Sequence, residues 1–280
     1  METEAIKIIK SSGERVNFSI EKLKRSLHKA GADSKTISQI IDKVRDELYQ
    51  GISTKEIYNR AFALLKRKKG CMASKYKLKR AIYELGPTGF PFEHFIAAIL
   101  KQSGYQTEIN QILQGQCVTH EIDVIAQKNN ETTVIECKFH SEEGLNCNVK
   151  IPLYIHSRYN DVKAHWEKTK KKKTQLTQGW VVTNTRFTQD AMQYSKCVGL
   201  YLLSWDFPKD DALKDRIDRL GLYPVTVSTL LTKREKQFLL SRNVVLYKSL
   251  IDDHFYLDHL GISEIRKEKI FNEIKSLCNA

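Results

Sequence analysis

Apolar residues recur along this chain with two different periods, and the change of period divides it into parts. Before about residue 85, and again after residue 224, they recur every three to four positions, which predicts helices. Between residues 90 and 206, short apolar runs alternate with helical stretches, which predicts an α/β layer structure. Interruptions at residues 86–89 and 222–224 separate these regions. We therefore predict a multidomain α/β protein with domains at residues 1–86, 87–223 and 224–280.

The first domain is predicted to be a small β-hairpin followed by helices. Residues 5–9 and 15–18 have a β-like composition and flank a turn. Ser19 is placed to cap the first helix, and Gly51 to stop the second. The run from Ser53 to Glu56 has the pattern of a capping box that opens a third helix, and a fourth helix follows.

The second domain alternates helices and strands, and the third is predicted to be a helical tail. Asn129 and Asn130 are predicted to form the turn of an antiparallel hairpin. The predicted strands are residues 105–113, 120–126, 132–139, 180–183 and 200–203. The predicted helices of the second domain are residues 92–100, roughly 161–172, and 188–196. In the tail, Thr232 is placed to cap a helix that packs against the second domain.

Composition fits a folded globular protein and excludes several classes. Hydrophobic residues are 41% and charged residues 28%, which is not typical of a disordered chain. Because no run of about 18 apolar residues occurs, we expect no transmembrane helix and no membrane partner. The acidic first residues lack the basic and apolar regions of a signal peptide. Six cysteines without a CxxC pair argue against a zinc ribbon and predict reduced thiols in the cytoplasm.

Charge is distributed unevenly along the chain. The 46 Lys and Arg residues against 33 Asp and Glu give a formal net charge of +13, which favours a polyanionic partner. Residues 1–85 hold 20 basic and 10 acidic residues, residues 86–223 hold 17 and 16, and residues 224–280 hold 9 and 7. Most of the excess therefore lies in the first domain. The run Lys170–Lys173 is either a solvated helix face or a phosphate-binding track.

Two carboxylates and a lysine are predicted to meet in the second domain. Because side chains alternate along a strand, Glu136 and Lys138 lie on one face, and the hairpin brings Asp123 beside Glu136. Paired carboxylates suit a hard cation such as Mg²⁺ or Mn²⁺, and a lysine can orient a water or stabilise a transition state. The spacing also arises by chance, in which case Lys138 is only an ion-pair partner of Glu136.

These residues resemble the PD-(D/E)xK restriction-endonuclease-like superfamily, most closely its Mrr-like branch. The resemblance covers about residues 90–206, and its matching segments are Phe92-Glu93, Gly104-Tyr105, Ile122-Asp123-Val124-Ile125, Glu136-Cys137-Lys138 and Val181-Val182-Thr183-Asn184. Residues 117–121 depart from the branch, and residues 152–159, which include Arg158, lie outside its generic pattern. Both departures bear on substrate preference more than on the chemistry.

This resemblance implies a central restriction-endonuclease-like sheet domain with the activity of a Mg²⁺-dependent endonuclease. By it, Asp123 and Glu136 would be the metal ligands and Lys138 the catalytic lysine. Glu93 would assist through a metal-bound water. The substrate would be DNA, cleaved by phosphodiester hydrolysis.

The first domain resembles an ATP-cone, a nucleotide-binding module with a hairpin and helices. The matching segments are Lys10–Gly13, Phe18–Lys22 and Gly51–Thr54, with Ser11-Ser12 departing from the Arg-Asp of the family. The resemblance implies phosphate or ribose contacts from Lys10, Lys22 and Thr54, and base or sugar contacts from Val16, Asn17, Phe18 and Ser19. A helix that begins after Ser19 would also direct free N–H groups at an anion.

Together, these resemblances predict a DNA endonuclease whose activity or oligomeric state responds to an adenine nucleotide. The effector would be ATP or dATP, and a homo-oligomer is compatible with this scheme. The main alternative is a non-catalytic, nucleotide-responsive DNA-binding protein. A second alternative is a nucleotide-dependent regulator without DNA contact.

Overall fold

The structure, a computed structural model, describes residues 6–10, 12–68, 70–169 and 174–278. Its strands are Lys7–Ile9 (β1), Arg15–Asn17 (β2), Gln106–Gln114 (β3), Thr119–Lys128 (β4), Glu131–Lys138 (β5), Asn146–Cys147 (β6), Gln175–Thr183 (β7), Arg186–Phe187 (β8) and Tyr201–Leu203 (β9). Its α-helices are Ile20–Lys29 (α1), Ser34–Asp46 (α2), Thr54–Lys68 (α3), Gly70–Tyr83 (α4), Phe90–Gln102 (α5), Lys150–Lys168 (α6), Gln189–Val198 (α7), Leu213–Leu220 (α8), Lys233–Ser241 (α9), Ser249–Asp252 (α10), Phe255–His259 (α11) and Glu264–Cys278 (α12). Within these ranges, no helix has the length and apolar character needed to cross a membrane.

The N-terminal hairpin leads into a domain of four helices, as predicted. Strands β1 and β2 pair antiparallel, and the Ser19 side chain accepts the N–H of Lys22 at 3.3 Å to cap α1. The prediction for Gly51 is wrong, because α2 already ends at Asp46. Gly51, with φ 84°, lies instead in the turn before Ile52, whose carbonyl oxygen accepts the N–H of Ile9 at 3.0 Å.

The predicted capping box at the start of α3 forms only in part. Ser53 Oγ accepts the N–H of Glu56 at 3.1 Å, which satisfies one free donor of the helix. The Glu56 carboxylate does not return to the backbone, because it accepts from Tyr49 at 2.8 Å and from Arg60 at 2.7 Å. The bond from Tyr49 attaches α3 to the segment that follows α2, and a parallel bridge between Ile9 and Ser53 places the start of α3 beside β1.

The central sheet has the strand order β3-β4-β5-β7-β9. Strands β3, β4 and β5 pair antiparallel, whereas β5, β7 and β9 pair parallel. Asn129 and Asn130 both have positive φ, 51° and 64°, which confirms the tight turn between β4 and β5. Helix α5 covers one face with Phe92 and Phe95, and α6 covers the other with Val162 and Trp166.

Helix α6 begins eleven residues earlier than the predicted helix at Asp161. Pro152 lies in the first turn of α6, where a backbone N–H has no helical partner and proline is tolerated. The helix ends at Lys168, and the basic run Lys170–Lys173 falls outside the described residues. Helix α8 and the two-stranded β6–β8 ladder were not predicted from the sequence, since both are short.

Helix α4 joins the first domain to the rest of the molecule. Ala73 packs in the core of the first domain, while Leu78 and Ile82 pack in the core shared by the second domain and the C-terminal helices. The buried Glu273 of α12 accepts from Ser74 of α4 at 2.7 Å. It also accepts from Ser228, Thr229 and Tyr247. The helical tail therefore packs against the second domain, as expected, and also against α4.

Candidate active site and nucleotide site

Asp123 lies where the antiparallel pairing of the central hairpin stops. The last paired residues at this end of β4 and β5 are Val124 and Ile135, so Asp123 and Glu136 are the next residues along each strand. An Asp123 carboxylate oxygen accepts the N–H of Cys137 at 2.7 Å. On the other side of β4, Asn110 of β3 has a φ of 54°. The local fold thus holds the Asp123 carboxylate against the backbone of β5.

Glu136 is bound by an arginine that the sequence did not assign to the site. Arg158 Nη1 donates to Glu136 Oε2 at 2.7 Å, and Arg158 Nη2 donates to the carbonyl oxygen of Glu121. The side chains of Arg158 and Glu136 are only 13% and 22% exposed, so water screens this pair weakly. The Nε of Arg158 is buried without a hydrogen-bond partner among the described residues. Arg158 therefore fixes the Glu136 carboxylate from the α6 side of the sheet.

Glu93 and Lys138 complete the predicted group, in different environments. Glu93 is half-buried in the first turn of α5, and a Cβ at Gly89 would lie 3.3 Å from its Oε1, so the glycine leaves room for the carboxylate. Lys138 is exposed at the end of β5. No carboxylate of a described residue lies within salt-bridge distance of Lys138. The structure therefore does not pair Lys138 with Glu136, and Glu136 binds Arg158 instead.

Burial raises the pKa values of all three carboxyl groups of the site, and neighbouring charges add to the effect. Burial raises the pKa of Glu93 to about 7, and the charges of Asp123 and Glu121 act in the same direction. Burial also raises the pKa of Glu136 to about 7, with a further contribution from Asp123 and an opposing one from Arg158. The pKa of Asp123 is raised by burial, against the N–H of Cys137, which favours its charged form. Buried carboxyl groups with raised pKa values mark a place where extra positive charge would be stabilising.

The donor chemistry of this group fits a hard divalent cation. Asp123 and Glu136 offer carboxylate oxygens from adjacent strands, and Mg²⁺ is commonly held by one or two carboxylates with water and phosphate oxygens completing the shell. Among the described residues, no three His, Cys, Asp and Glu side chains are close enough to hold a metal ion by themselves. The arrangement therefore suits an ion that keeps open positions for water and substrate, and not a closed structural site.

The two histidines that flank the site in sequence have structural partners. His120 Nε2 and Asp161 Oδ2 are 2.8 Å apart, and the same carboxylate accepts the N–H of Cys117 at 2.8 Å. His140 Nδ1 lies 3.2 Å from Thr185 Oγ1.

Arg158 is the residue that sequence reasoning missed as part of the site. Its contact with Glu136 depends on how α6 packs against β5, and the hydrophobic pattern of the sequence gives no information about this contact.

The predicted nucleotide residues fall into two groups in the structure. Lys10 and Thr54 line one cleft, brought together because the end of β1 bonds to the turn before α3. Lys10 also pairs with Glu14 at 2.7 Å. The residues from Val16 to Lys22 do not line that cleft in the described structure. Ser19 caps α1 there, so its hydroxyl is already engaged with the backbone of Lys22.

Family models match three consecutive segments of the chain. An ATP cone domain matches residues 6–84, and a restriction endonuclease domain of the Mrr catalytic type matches residues 87–206. An AF1548-like C-terminal domain matches residues 223–278. The predicted fusion of an ATP-cone with an Mrr-like domain is confirmed, as is the multidomain α/β layout.

Individual relatives add a longer alignment. An uncharacterised protein from Archaeoglobus fulgidus is 31% identical over 183 residues, which are 65% of this chain and 99% of that protein. The crystal structure of AF1548, a protein of unknown function, matches with a TM-score of 0.56 and 30% identity over 69% of this chain and 99% of its own. The restriction endonuclease MspJI, solved with a 27-mer oligonucleotide, has 11% identity and a TM-score of 0.33 over 75% of this chain and 44% of its own, too weak a likeness to carry an argument.

Proposed function

Because the chain belongs to the family of this Archaeoglobus fulgidus protein and joins an ATP cone domain to a restriction endonuclease domain, we propose that it is a metal-dependent deoxyribonuclease regulated by ATP or dATP. The observation that carries the proposal is the meeting of Asp123 and Glu136 near Lys138, which has no carboxylate within salt-bridge distance in the part of the chain that the structure describes. A purely structural sheet would not gather carboxylates whose pKa values are raised by burial and, for Glu136, also by the charge of Asp123.

Each residue of the group has a distinct part in this proposal. Asp123 and Glu136 would hold Mg²⁺ or Mn²⁺ through their carboxylate oxygens. When bound, the cation would polarise a phosphoryl oxygen and lower the pKa of a water. Arg158 fixes the Glu136 carboxylate through its 2.7 Å bond.

Glu93 and Lys138 would act on the reacting water and phosphate. With a pKa of about 7, Glu93 is suited to accept a proton from a nucleophilic water near neutral pH. Lys138 is exposed at the end of β5, so its ammonium group is free to donate to the water or to the phosphate oxygen on which charge develops.

The ATP cone domain supplies the regulatory part of the proposal. Lys10 and Thr54 lie at the start of α3, where the positive end of the helix dipole and a lysine favour a phosphate. Because α4 packs in both cores, an adenine nucleotide that changes the first domain has a physical route to the second. Six free cysteines are consistent with a cytoplasmic location.

The proposal is tested by incubating the full chain with Mg²⁺ and linear, single-stranded and branched DNA, with and without ATP and dATP. Wild type is expected to cleave at least one of these substrates, and EDTA and Asp123→Asn are expected to abolish cleavage. Cleavage that survives in Asp123→Asn at the wild-type rate would contradict the assignment. DNA binding without cleavage of any substrate would favour the non-catalytic alternative.

A further inference from the structure

A cleft of about 1360 Å³ lies where the first domain, the second domain and the C-terminal helices meet. Its walls come from α1, α3, α4, α8 and α9. One end holds Lys10 and Thr54. Another part of its lining is Ser141 and Glu143, which follow Lys138 by three and five residues. The cleft therefore extends from the predicted nucleotide residues to the loop that leaves the proposed active-site strand.

The lining of this cleft is strongly basic. Ten lysines and arginines line it against four carboxylates. Three of those carboxylates are already engaged. Glu84 binds Lys77 at 2.6 Å, Asp215 accepts the N–H of Ala212 at 3.1 Å, and Asp218 accepts from a tyrosine hydroxyl at 2.8 Å. The four carboxylates offset part of this charge, Glu84 by pairing with Lys77 of the same lining, and leave a formal excess of six positive charges, ten minus four.

Four lysines of the lining have no carboxylate partner. Lys75 and Lys79 lie one turn apart on α4, Lys214 is on α8, and Lys233 is on α9. Among the described residues, no carboxylate lies within salt-bridge distance of any of the four. Like charges one helical turn apart repel each other, so an anion that bridges them would be stabilised. Three separate helices thus supply unpaired ammonium groups to one cavity.

Size and aromatic content distinguish between candidate anions. Pockets for small ligands are usually about 300 to 1000 Å³, so this cleft is larger than a single nucleotide requires. Tyr76, Tyr83 and Trp205 are half-buried in its lining, where a base could stack on an aromatic face. A basic groove with interleaved aromatic side chains is the combination that binds single-stranded nucleic acid without sequence preference.

We propose that the cleft binds a single nucleic-acid strand through its phosphates and leads it toward the carboxylates of the second domain. The second half of this statement rests on the proposed nuclease function, but binding in the cleft does not. Lys79 of α4, Lys214 of α8 and Lys233 of α9 are the principal phosphate contacts. The nearly neutral second domain then needs few basic residues of its own.

The test measures how a fluorescein-labelled 20-nucleotide single strand binds to the full chain in EDTA. Fluorescence anisotropy reports the affinity at salt concentrations from 50 to 300 mM. The cleft variant is Lys79→Ala/Lys214→Ala/Lys233→Ala. A matched control is Lys101→Ala/Lys196→Ala/Lys269→Ala, which removes the same charge from exposed lysines outside the cleft. Thermal unfolding of both variants verifies that each is folded.

We expect the cleft variant to bind the strand about tenfold or more weakly, with a salt slope smaller by about 2, since each lost phosphate contact removes about 0.7 from the slope for a single strand. The control is expected to match wild type. Equal affinities and slopes in the two variants, or no binding by wild type, would overturn the proposal. Neither result bears on whether Asp123→Asn abolishes cleavage, so failure of the cleft and failure of the nuclease assignment are separable.

Discussion

Two regions of this protein hold like charges close together, and they do so with opposite signs. In the second domain, Asp123 and Glu136 meet on adjacent strands. In the cleft, Lys75, Lys79 and Lys214 line one cavity, and no carboxylate of the described ranges lies within salt-bridge distance of them. In each region the like charges repel one another in the ligand-free protein, so a ligand of the opposite charge would be stabilising. The carboxylates favour a cation, and the lysines favour the phosphates of a nucleic-acid strand.

The two regions also differ in how far their charged side chains are buried. The Glu136 side chain is 22% exposed and fixed by Arg158, whereas Lys79 and Lys233 are exposed on helix surfaces. Buried charge is weakly screened, so the carboxylate group should respond to single substitutions. Exposed charge is screened by salt, so the cleft should respond to ionic strength and to combined substitutions.

The largest effect is expected when one carboxylate loses its charge. Glu136→Gln should reduce Mg²⁺-dependent DNA cleavage by about 10³-fold, since the electrostatic contribution of one such group is of that order. Glu131→Gln, at the exposed opposite end of the same strand, is the matched control and should cleave normally. Single-turnover cleavage rates measure both. Equal rates in the two variants would remove Glu136 from the mechanism.

A pH effect follows from the carboxyl groups. With pKa values of about 7, Glu93 and Glu136 are largely protonated at pH 6 and largely ionised at pH 8. Because a cation competes with these protons, Mg²⁺ affinity should rise by about tenfold between pH 6 and pH 8. Titration calorimetry in buffers of different ionisation enthalpy would measure affinity and proton release. A Mg²⁺ affinity that does not change between pH 6 and pH 8 would contradict the proposed role of these carboxyl groups.

The same pKa shift predicts a change in stability with a definite sign. The folded state binds a proton on Glu136 up to a pKa of about 7, whereas the unfolded state releases it near 4.5. Ionisation therefore destabilises the fold as pH rises through this window, and the full effect is present above pH 7. Glu136→Gln should raise the free energy of unfolding of the metal-free protein by about 2 to 3 kcal/mol at pH 8 and little at pH 4. Denaturant unfolding at both pH values measures this difference.

Removing Arg158 should have the smallest effect of the series. Arg158 lowers the pKa of Glu136, so Arg158→Met should shift the pH midpoint of Mg²⁺ binding to higher pH, by about one unit or less. Lys163→Met, on the same helix, is the control, since Lys163 pairs with Glu167 at 3.8 Å and lies over the Tyr159 ring, away from Glu136. An unchanged midpoint in Arg158→Met would show that the arginine does not control Glu136.

Local signals in the sequence predicted much of the fold. Ser19 and Thr232 were recognised as helix caps because capping depends on a few adjacent residues. The turn at Asn129 and Asn130 was recognised because two residues with positive φ favour asparagine. The pairing of Asp123 with the backbone of β5 follows from that hairpin, and the strand period placed Glu136 and Lys138 on one face.

Features that depend on distant parts of the chain could not be predicted. The contact between Arg158 and Glu136 exists only because α6 packs on the sheet 22 residues later. The lysines of the cleft are spread over α4, α8 and α9, and α8 was not recognised at all. The sequence showed an excess of charge in the first domain, but only the fold shows that residues of all three domains share one cleft.

The central claim is that the carboxylates and Lys138 form a phosphodiester-cleaving site. The most direct measurement is the single-turnover rate of DNA cleavage with Mg²⁺ by wild type, Lys138→Ala and the surface control Lys101→Ala. The proposed role predicts cleavage by wild type and the control, and a loss of about 10² to 10³-fold in Lys138→Ala. Cleavage by Lys138→Ala at the wild-type rate would contradict it.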